Sequence, residues 1–257
     1  MDVEMGAPGT YRTPQYNIGF YHESNIDITP RLVLTLGARY DYMLTKIHYE
    51  SMAYMKMNAN VMGKKATNTL RSMLDGKAHD GFEQLLPKLG LSYRLGSKGS
   101  NVYANRQQAM RGSYDVPHTS EDYDNVNHTI AYKPETSWNY EAGTHLNLMD
   151  GQLHVDVSTY YMKVRNQQLS VMAGNYGFGR MMVNAGKSHT CGLELSAKGQ
   201  VVDGHLDWML SYGYTRAVFD EYVDGEGDEA VSYEDKYVPY VPQHTLAASA
   251  DYRFDVE

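Results

Sequence analysis

The sequence predicts an all-β chain, with antiparallel strands running up and down as in a transmembrane β-barrel. Three observations predict it. Segments such as Arg31–Tyr42 (RLVLTLGARYDY) alternate apolar and polar residues strictly, the period-2 pattern that sends successive side chains to opposite faces of a strand. Many segments are long, roughly twelve to twenty residues against a soluble mode of about five or six. Tight turns join them on one side and long loops on the other, the asymmetry of outer-membrane barrels. Tyrosine also dominates the aromatics, 23 against 5 Phe and 2 Trp. Its apolar ring and polar tip suit a membrane–water interface, and it is equally a good strand former.

Residues 15–27 (QYNIGFYHESNID) read as the first strand, with Ile18, Phe20 and Ile26 on one face. The turn Ile28-Thr29-Pro30 ends it, because proline fixes φ and removes a ladder donor. The second strand continues to about Tyr49. Leu32, Leu34, Leu36, Ala38, Tyr40 and Tyr42 take one face, expected to meet lipid. Val33, Thr35, Gly37, Arg39 and Asp41 take the other, expected to face the lumen. A polar, Met-rich loop is expected over about 51–82. Leu89, Leu91, Tyr93 and Leu95 alternate in the next strand, 84–95, and the short turn Gly96-Ser97-Lys98-Gly99 leads to strand 100–110.

The pattern then repeats. A second long loop covers about 111–134. Strand 135–148 places Trp138, Tyr140, Ala142, Leu146 and Leu148 opposite Asn139, Glu141, Gly143, His145 and Asn147. Met149-Asp150-Gly151 reads as a tight hairpin, since Asp-Gly supplies positive φ. Strand 152–169 follows, then a Gly-rich tip at 173–179, strand 181–201, a tight turn Val202-Asp203-Gly204 and strand 205–219. An acidic loop at 220–240 precedes the last strand, 241–255. The total is about nine strands in simple meander order; a sandwich would show Greek-key crossings and mixed loop lengths at both ends.

The totals narrow the function. A net charge of −8 and 21% charged residues argue against a nucleic-acid partner. A hydrophobic fraction of 42% excludes a wholly disordered chain. Mean hydropathy is −0.54, and no run of about 18 apolar residues predicts a transmembrane helix. Barrel strands escape that test, because only alternate residues face lipid. The single cysteine, Cys191, forms no intrachain disulfide and reads as structural. The start, MDVEMGAPGT, lacks the basic and apolar regions of a signal peptide.

No Ser/His/Asp or Cys/His arrangement suggests catalysis, so no enzyme is expected. GNYGFG (174–179) has no Lys-Ser/Thr and no following helix, so it is not a phosphate loop. DGEGDE (224–229) spaces carboxylates loosely like a calcium loop but reads better as a solvated outer loop. Asp115, His118, Glu121, Asp122, Asp124 and His128 are spaced too irregularly to predict a metal site. No cofactor is expected. Arg39, Asp41, Glu141, Asp156, Glu194 and Arg253 are expected to face the lumen, where charges hydrate or pair.

Several stretches resemble the barrel of TonB-dependent outer-membrane receptors. LTLGARYDY (34–42), LLPKLGLSYRL (85–95) with NVYANRQQAMRGSYDV (101–116), the run from Lys133 to Val171, and NAGKSHTCGLEL (184–195) occur in the order that family shows. The closest match is the 133–171 run, with Glu135-Thr136, Glu141-Ala142-Gly143 and Asn166-Gln167-Gln168. The resemblance spans nearly the whole chain. It implies an outer-membrane receptor that takes up a large scarce nutrient, most directly a ferric siderophore, energised through TonB. It also implies a signal peptide, a TonB-docking box, a plug domain and a barrel of roughly 22 strands. With about nine strands here, residues 1–257 are expected to be a partial barrel domain, lacking the plug and the C-terminal strands. The alternative is a passive or structural barrel without TonB coupling. The expected partners are outer-membrane lipid, an extracellular ligand such as a ferric siderophore, and the TonB complex acting through the plug. By position near an outer loop, Arg111, Tyr114 and Tyr123 are candidate ligand-binding residues.

Overall fold

A computed structural model describes residues 2–6, 8–61, 64–96, 99–111, 116–118, 128–130, 133–172, 180–184, 186–201, 205–224 and 230–254. Strands dominate it. Three collinear segments, β1 (Asp2–Gly6), β2 (Gly9–Arg12) and β3 (Gln15–Asp27), form one column against β4 (Leu32–Val61). β5 (Lys64–Leu95) and β6 (Ser100–Arg111) follow, then the two short strands β7 (Val116–His118) and β8 (His128–Ile130). β9 (Glu135–Leu148) turns through a single 3-10 turn, Met149–Gly151, into β10 (Leu153–Arg165). β11 (Gln168–Met172) and β12 (Arg180–Asn184) make a small hairpin before β13 (Lys187–Val201). β14 (Leu206–Glu221), the two-residue β15 (Val223–Asp224) and β16 (Val231–Ser232), and β17 (His244–Tyr252) complete the set.

The main sheet runs in the order β1-β4-β5-β6-β9-β10-β13-β14-β17, with β2 and β3 also on β4. Counting β1 to β3 as one column gives the nine-strand meander that the alternation predicts. Among the described residues, all neighbouring strands of this sheet pair antiparallel. Among the described residues, β3 and β17 each pair on one side only, so the sheet is open at both edges.

The short turns gather at one end. Gly96 (φ 68°) and Gly99 (φ 79°) shape the turn between β5 and β6. Met149, Asp150 and Gly151 all adopt left-handed φ (52°, 54° and 94°), so the hairpin predicted there begins one residue before its Asp-Gly.

Two predicted loops are ordered differently from expectation. The Met-rich stretch 51–82 is not a loop: β4 and β5 pair continuously from Leu32↔Tyr93 to Val61↔Lys64. Met52 faces Met73 and Lys56 faces Thr69 within this ladder. The hairpin therefore extends far past the level where the apolar face ends. With no greasy face to keep, the apolar–polar contrast vanishes while the backbone pairing persists. The acidic segment 220–240 also begins as strand, since β14 runs to Glu221, and part of it folds back on that strand. Phe219 N donates to Lys236 O, Asp235 N to Phe219 O and Val238 N to Ala217 O. This return covers Ala217, Val218 and Phe219, which with Val164 are the buried apolar residues among those described.

Burial is otherwise inverted. A soluble sheet of this size would hide its apolar face. Here Phe20 is 70% exposed, Leu89 51% and Leu246 73%. The registers put these residues on a single face. Phe20 lies opposite Tyr40, Leu36 opposite Leu89, Leu91 opposite Ala104, Tyr140 opposite Tyr161, and Tyr212 opposite Leu246. The face is banded. Tyr93, Trp208 and Tyr252 mark its short-turn edge, and Tyr40, Tyr42, Trp138, Tyr140, Tyr161, Tyr212 and Tyr214 its long-loop edge, with aliphatic rows between. From Tyr93 to Glu83, the partner of Tyr42, is ten residues; at about 3.3 Å rise and a tilt near 40° that is about 25 Å, the height of a barrel's apolar belt.

Candidate functional site

The opposite face is polar and carries the chemistry. Inward parity brings Asn101, Tyr103 and Asn105 of β6 beside His145, Gly143 and Glu141 of β9. The next strands add Asp156 and Ser158, then Ser196 and Glu194. A hollow of about 450 Å³ is lined here by Tyr103, Glu141, His145, Asp156, Glu194 and their neighbours. The Tyr103 hydroxyl donates to Glu141 Oε1 at 2.8 Å. His145 Nδ1 bonds Asp156 Oδ1 at 2.6 Å, and its ring stacks on Tyr103 with centroids 4.9 Å apart. Three carboxylates thus share one patch with a single histidine, an anionic surface suited to cationic groups.

Two glycines shape this wall. A Cβ on Gly143 would stand 2.6 Å from Val157 O and 2.8 Å from the Tyr103 hydroxyl; one on Gly192 would stand 2.5 Å from the Tyr160 ring. Each tyrosine lies flat across the glycine of the neighbouring strand, covering backbone that no side chain shields.

A second hollow, of about 580 Å³, is bounded by Tyr21, Glu23, Arg39, Asp41, Lys88 and Gln107. Arg39 Nε donates to Asp41 at 2.8 Å and Lys88 Nζ to Glu23 at 2.8 Å. Arg253 closes the wall at the short-turn end, with Nη2 2.6 Å from Asp207 Oδ2. Parity thus places the six predicted lumen charges on the polar face, two of them paired with each other and Arg253 with Asp207. His145, Lys88 and Glu23 join them, although the sequence reading gave them no role; their signal was the same odd or even count along each strand. Tyr103 was missed because the register of β6 on β9 spans the long 111–134 connection.

Of the predicted ligand residues, Arg111 ends β6 at the long-loop end, opposite Glu135 in the register. Tyr114 and Tyr123 lie outside the described residues, as do the Gly-rich tip 173–179 and the core of the acidic run at 225–229. Among the described residues no group of three or more His, Cys, Asp or Glu side chains could hold a metal ion.

Comparison with known proteins agrees with this geometry. The family model described as TonB dependent receptor-like, beta-barrel matches residues 5–256. A probable TonB-dependent siderophore receptor, PiuA of Acinetobacter baumannii, is 23% identical over 211 residues, covering 80% of this chain and 23% of its own length. A pesticin receptor of Yersinia enterocolitica is 25% identical over 243 residues, covering 93% of this chain and 30% of its own. Among solved structures, the ferric yersiniabactin uptake receptor FyuA of Yersinia pestis superposes with a TM-score of 0.68 at 21% identity, covering 97% of this chain and 33% of that one. The crystal structure of PiuA gives 0.65 at 15% identity, over 94% and 32%. The chain therefore spans 23% to 33% of the length of these relatives. Taken with the meander, the apolar belt and the polar inner wall, the match over residues 5–256 means that this chain belongs to the TonB-dependent receptor-like β-barrel family.

Proposed function

We propose that residues 1–257 form part of the wall of an outer-membrane receptor that imports a large scarce nutrient, most directly a ferric siderophore, using energy delivered by TonB. The observation that carries this reading is the inverted burial. An apolar belt about 25 Å tall, edged with aromatic residues, suits only a bilayer as its solvent, while the other face is polar and anionic. The relatives named as siderophore and ferric-yersiniabactin receptors supply the ligand class. An open sheet edge is not tolerated in lipid. The free sides of β3 and β17 thus call for further strands of a larger barrel, and the relatives' greater length accommodates them.

In this reading a plug supplied by the rest of the receptor fills the lumen. Cationic groups of the plug meet Glu141, Asp156 and Glu194. Among the described residues the buried Asn105 Oδ1 has no donor partner, and a plug N–H is suited to it. Ligand capture falls to the long-loop end, where Arg111, Tyr114 and Tyr123 are the proposed contacts. Arginine suits the anionic oxygens of a chelate and tyrosine offers both a ring face and a donor.

The test is uptake of radio-iron supplied as ferric yersiniabactin and as a ferric catecholate siderophore, in cells with and without the gene, each with and without a protonophore. The proposal expects gene-dependent uptake of at least one complex that the protonophore abolishes. Gene-dependent uptake that survives the protonophore would favour the passive barrel instead.

A further inference from the structure

The far end of the β4–β5 hairpin carries an apolar surface that the belt does not explain. The β4–β5 register is unbroken, so the odd-numbered side of β4 is continuous with the polar wall and the even-numbered side with the belt. Near the tip the contrast between sides returns with the two exchanged. The even side holds Lys56 between Glu4 and Thr69, and Tyr54 beside Arg71. These groups partner one another: the Tyr54 hydroxyl donates to Glu4 at 3.2 Å, and Lys56 Nζ lies 4.0 Å from the same carboxylate. The odd side holds Met55 between Met5 and Leu70, and Met57 between Val3 and Asn68. Val3, Met5 and Leu70 are all at least half exposed.

The residue type matters here. Where β4 and β5 need only apolarity they use leucine, with Leu34 against Leu91 and Leu36 against Leu89. Beyond the belt the same strands turn to methionine, at Met43, Met52, Met55, Met57 and Met73. Leucine and methionine are close in volume; what methionine adds is a polarizable thioether on a flexible stem. The register brings three of these sulfurs within reach of one point. Met5 and Met55 are direct cross-strand partners, a placement that sets Cβ atoms about 5 Å apart. Met57 stands two residues along on the same side, about 7 Å from Met55. Each sulfur lies two rotatable bonds beyond its Cβ, so the three side chains can close that gap without moving the backbone. Among the described residues of these two rows, no side chain on this side is charged, and the Asn68 amide is the one other donor.

Thioethers are soft, neutral ligands that select Cu(I), whereas harder ions take imidazole, carboxylate or water. We propose that Met5, Met55 and Met57 form a three-sulfur site for a soft monovalent cation, Cu(I), on the outer hairpin. The cation binds as Cu(I), with no change of oxidation state. Val3 and Leu70 flank the sulfurs with groups that offer a harder ion nothing, and the nearest charges, Glu4, Lys56 and Arg71, lie on the other side of the ladder. The exchange of sides is what separates the two chemistries: one side of the tip satisfies its polar groups internally, and the other presents sulfur to solution. This site rests on the strand register alone. It depends neither on the membrane reading of the belt nor on which nutrient the receptor carries.

The experiment uses the receptor purified from outer membranes, in a Cys191→Ser background that removes the one thiol of this chain, with Ag(I) as a redox-inert probe. Hydrogen peroxide converts free thioethers to sulfoxides, a bound sulfur is shielded, and peptide mass spectrometry reads each methionine separately. Equimolar Ag(I) should slow oxidation of Met5, Met55 and Met57 several-fold. It should leave Met52 and Met73, an exposed cross-strand pair on the other side, unchanged. Met55→Leu combined with Met57→Leu keeps the apolar volume. It should weaken Ag(I) binding in equilibrium dialysis by about tenfold or more, since even a change beside a metal ligand costs about that, and it should end the protection of Met5. Met52→Leu combined with Met73→Leu should do neither, with heat-modifiable migration reporting the fold of all variants. Cu(I) kept reduced under argon should protect the same three residues, and Zn(II) none of them. Equal protection of all five methionines, or Met5 still shielded in the Met55/Met57 variant, would overturn the site, and protection by Zn(II) would overturn its selectivity. Failure of siderophore uptake would leave these results untouched, so the two readings stand or fall separately.

Discussion

Placing arginine at Leu89 offers the sharpest energetic test of the fold. Leu89 is 51% exposed on the outward face and pairs with Leu36. It lies four residues from Tyr93 and six from Glu83, the partner of Tyr42, so it stands near the middle of the belt. In lipid an arginine at that depth costs about 2–4 kcal/mol. If the face met water, the same change at a half-exposed strand position would cost within about 0.5 kcal/mol. Ser196→Arg is the control. Ser196 lies on the inner face opposite Asp156 and Ser211, one step from Glu194, where a cation gains partners. Its cost should stay under about 1 kcal/mol. The assay is urea unfolding of the receptor in phospholipid vesicles, followed by heat-modifiable migration and tryptophan emission. A Leu89→Arg cost no larger than that of Ser196→Arg would refute the assignment of faces.

Three further outcomes follow from the inner wall, the outer hairpin and the loops. Gly143→Val puts a branched Cβ where Val157 O and Tyr103 already lie at 2.6 and 2.8 Å. It should displace Tyr103 from Glu141 and lower stability by about 1–3 kcal/mol in the same urea assay, whereas an unchanged midpoint would mean that Tyr103 does not cover this glycine. On the hairpin beyond the belt, Tyr54 donates to Glu4 at 3.2 Å, and that hydrogen bond raises its phenol above the usual value of 10.0. A raised folded pKa stabilises below the unfolded value and is lost as pH rises through the folded one. Alkaline difference spectra of wild type against Tyr54→Phe should therefore show one phenol ionising late, and a phenol titrating at or below 10.0 would contradict the contact. Arg111→Ala, Tyr114→Ala and Tyr123→Ala should each weaken capture of the transported ferric complex, by up to about tenfold, in equilibrium binding to whole cells. Unchanged affinity in all three would remove them from the ligand path.

The fold was legible wherever one face of a strand was apolar and the other polar. In Leu32–Tyr42 and Glu135–Leu148 each residue's face could be read from its number, and the observed registers agree. The same logic placed Arg39, Asp41, Glu141, Asp156 and Glu194 on one wall. Where the apolar–polar contrast between faces is lost the signal disappears, and the Met52↔Met73 region of the β4–β5 hairpin looked like a loop because nothing in it contrasts. The return of Tyr237 and Val238 along β14 had a different cause. Its driving force is cover for Ala217, Val218 and Phe219, an apolar run at the long-loop end that the alternation alone did not mark as needing a lid. Contacts such as Tyr103 over Gly143 depend on a register across a long connection, which local sequence does not set.

On the proposed reading the even-numbered face of β4 meets lipid and the odd-numbered face a watery lumen. Single cysteines at Leu34, Thr35, Leu36, Gly37, Ala38 and Arg39, in a Cys191→Ser background, test it most directly. The receptor should be probed in intact outer membranes with a membrane-impermeant charged maleimide and with a lipid-soluble one. Labelling should alternate: positions 34, 36 and 38 react only with the lipid-soluble reagent, while 35, 37 and 39 are protected from it and react with the charged reagent where the lumen admits it. Charged-reagent labelling of 34, 36 and 38 would rule out this assignment of faces, as would uniform labelling at all six positions.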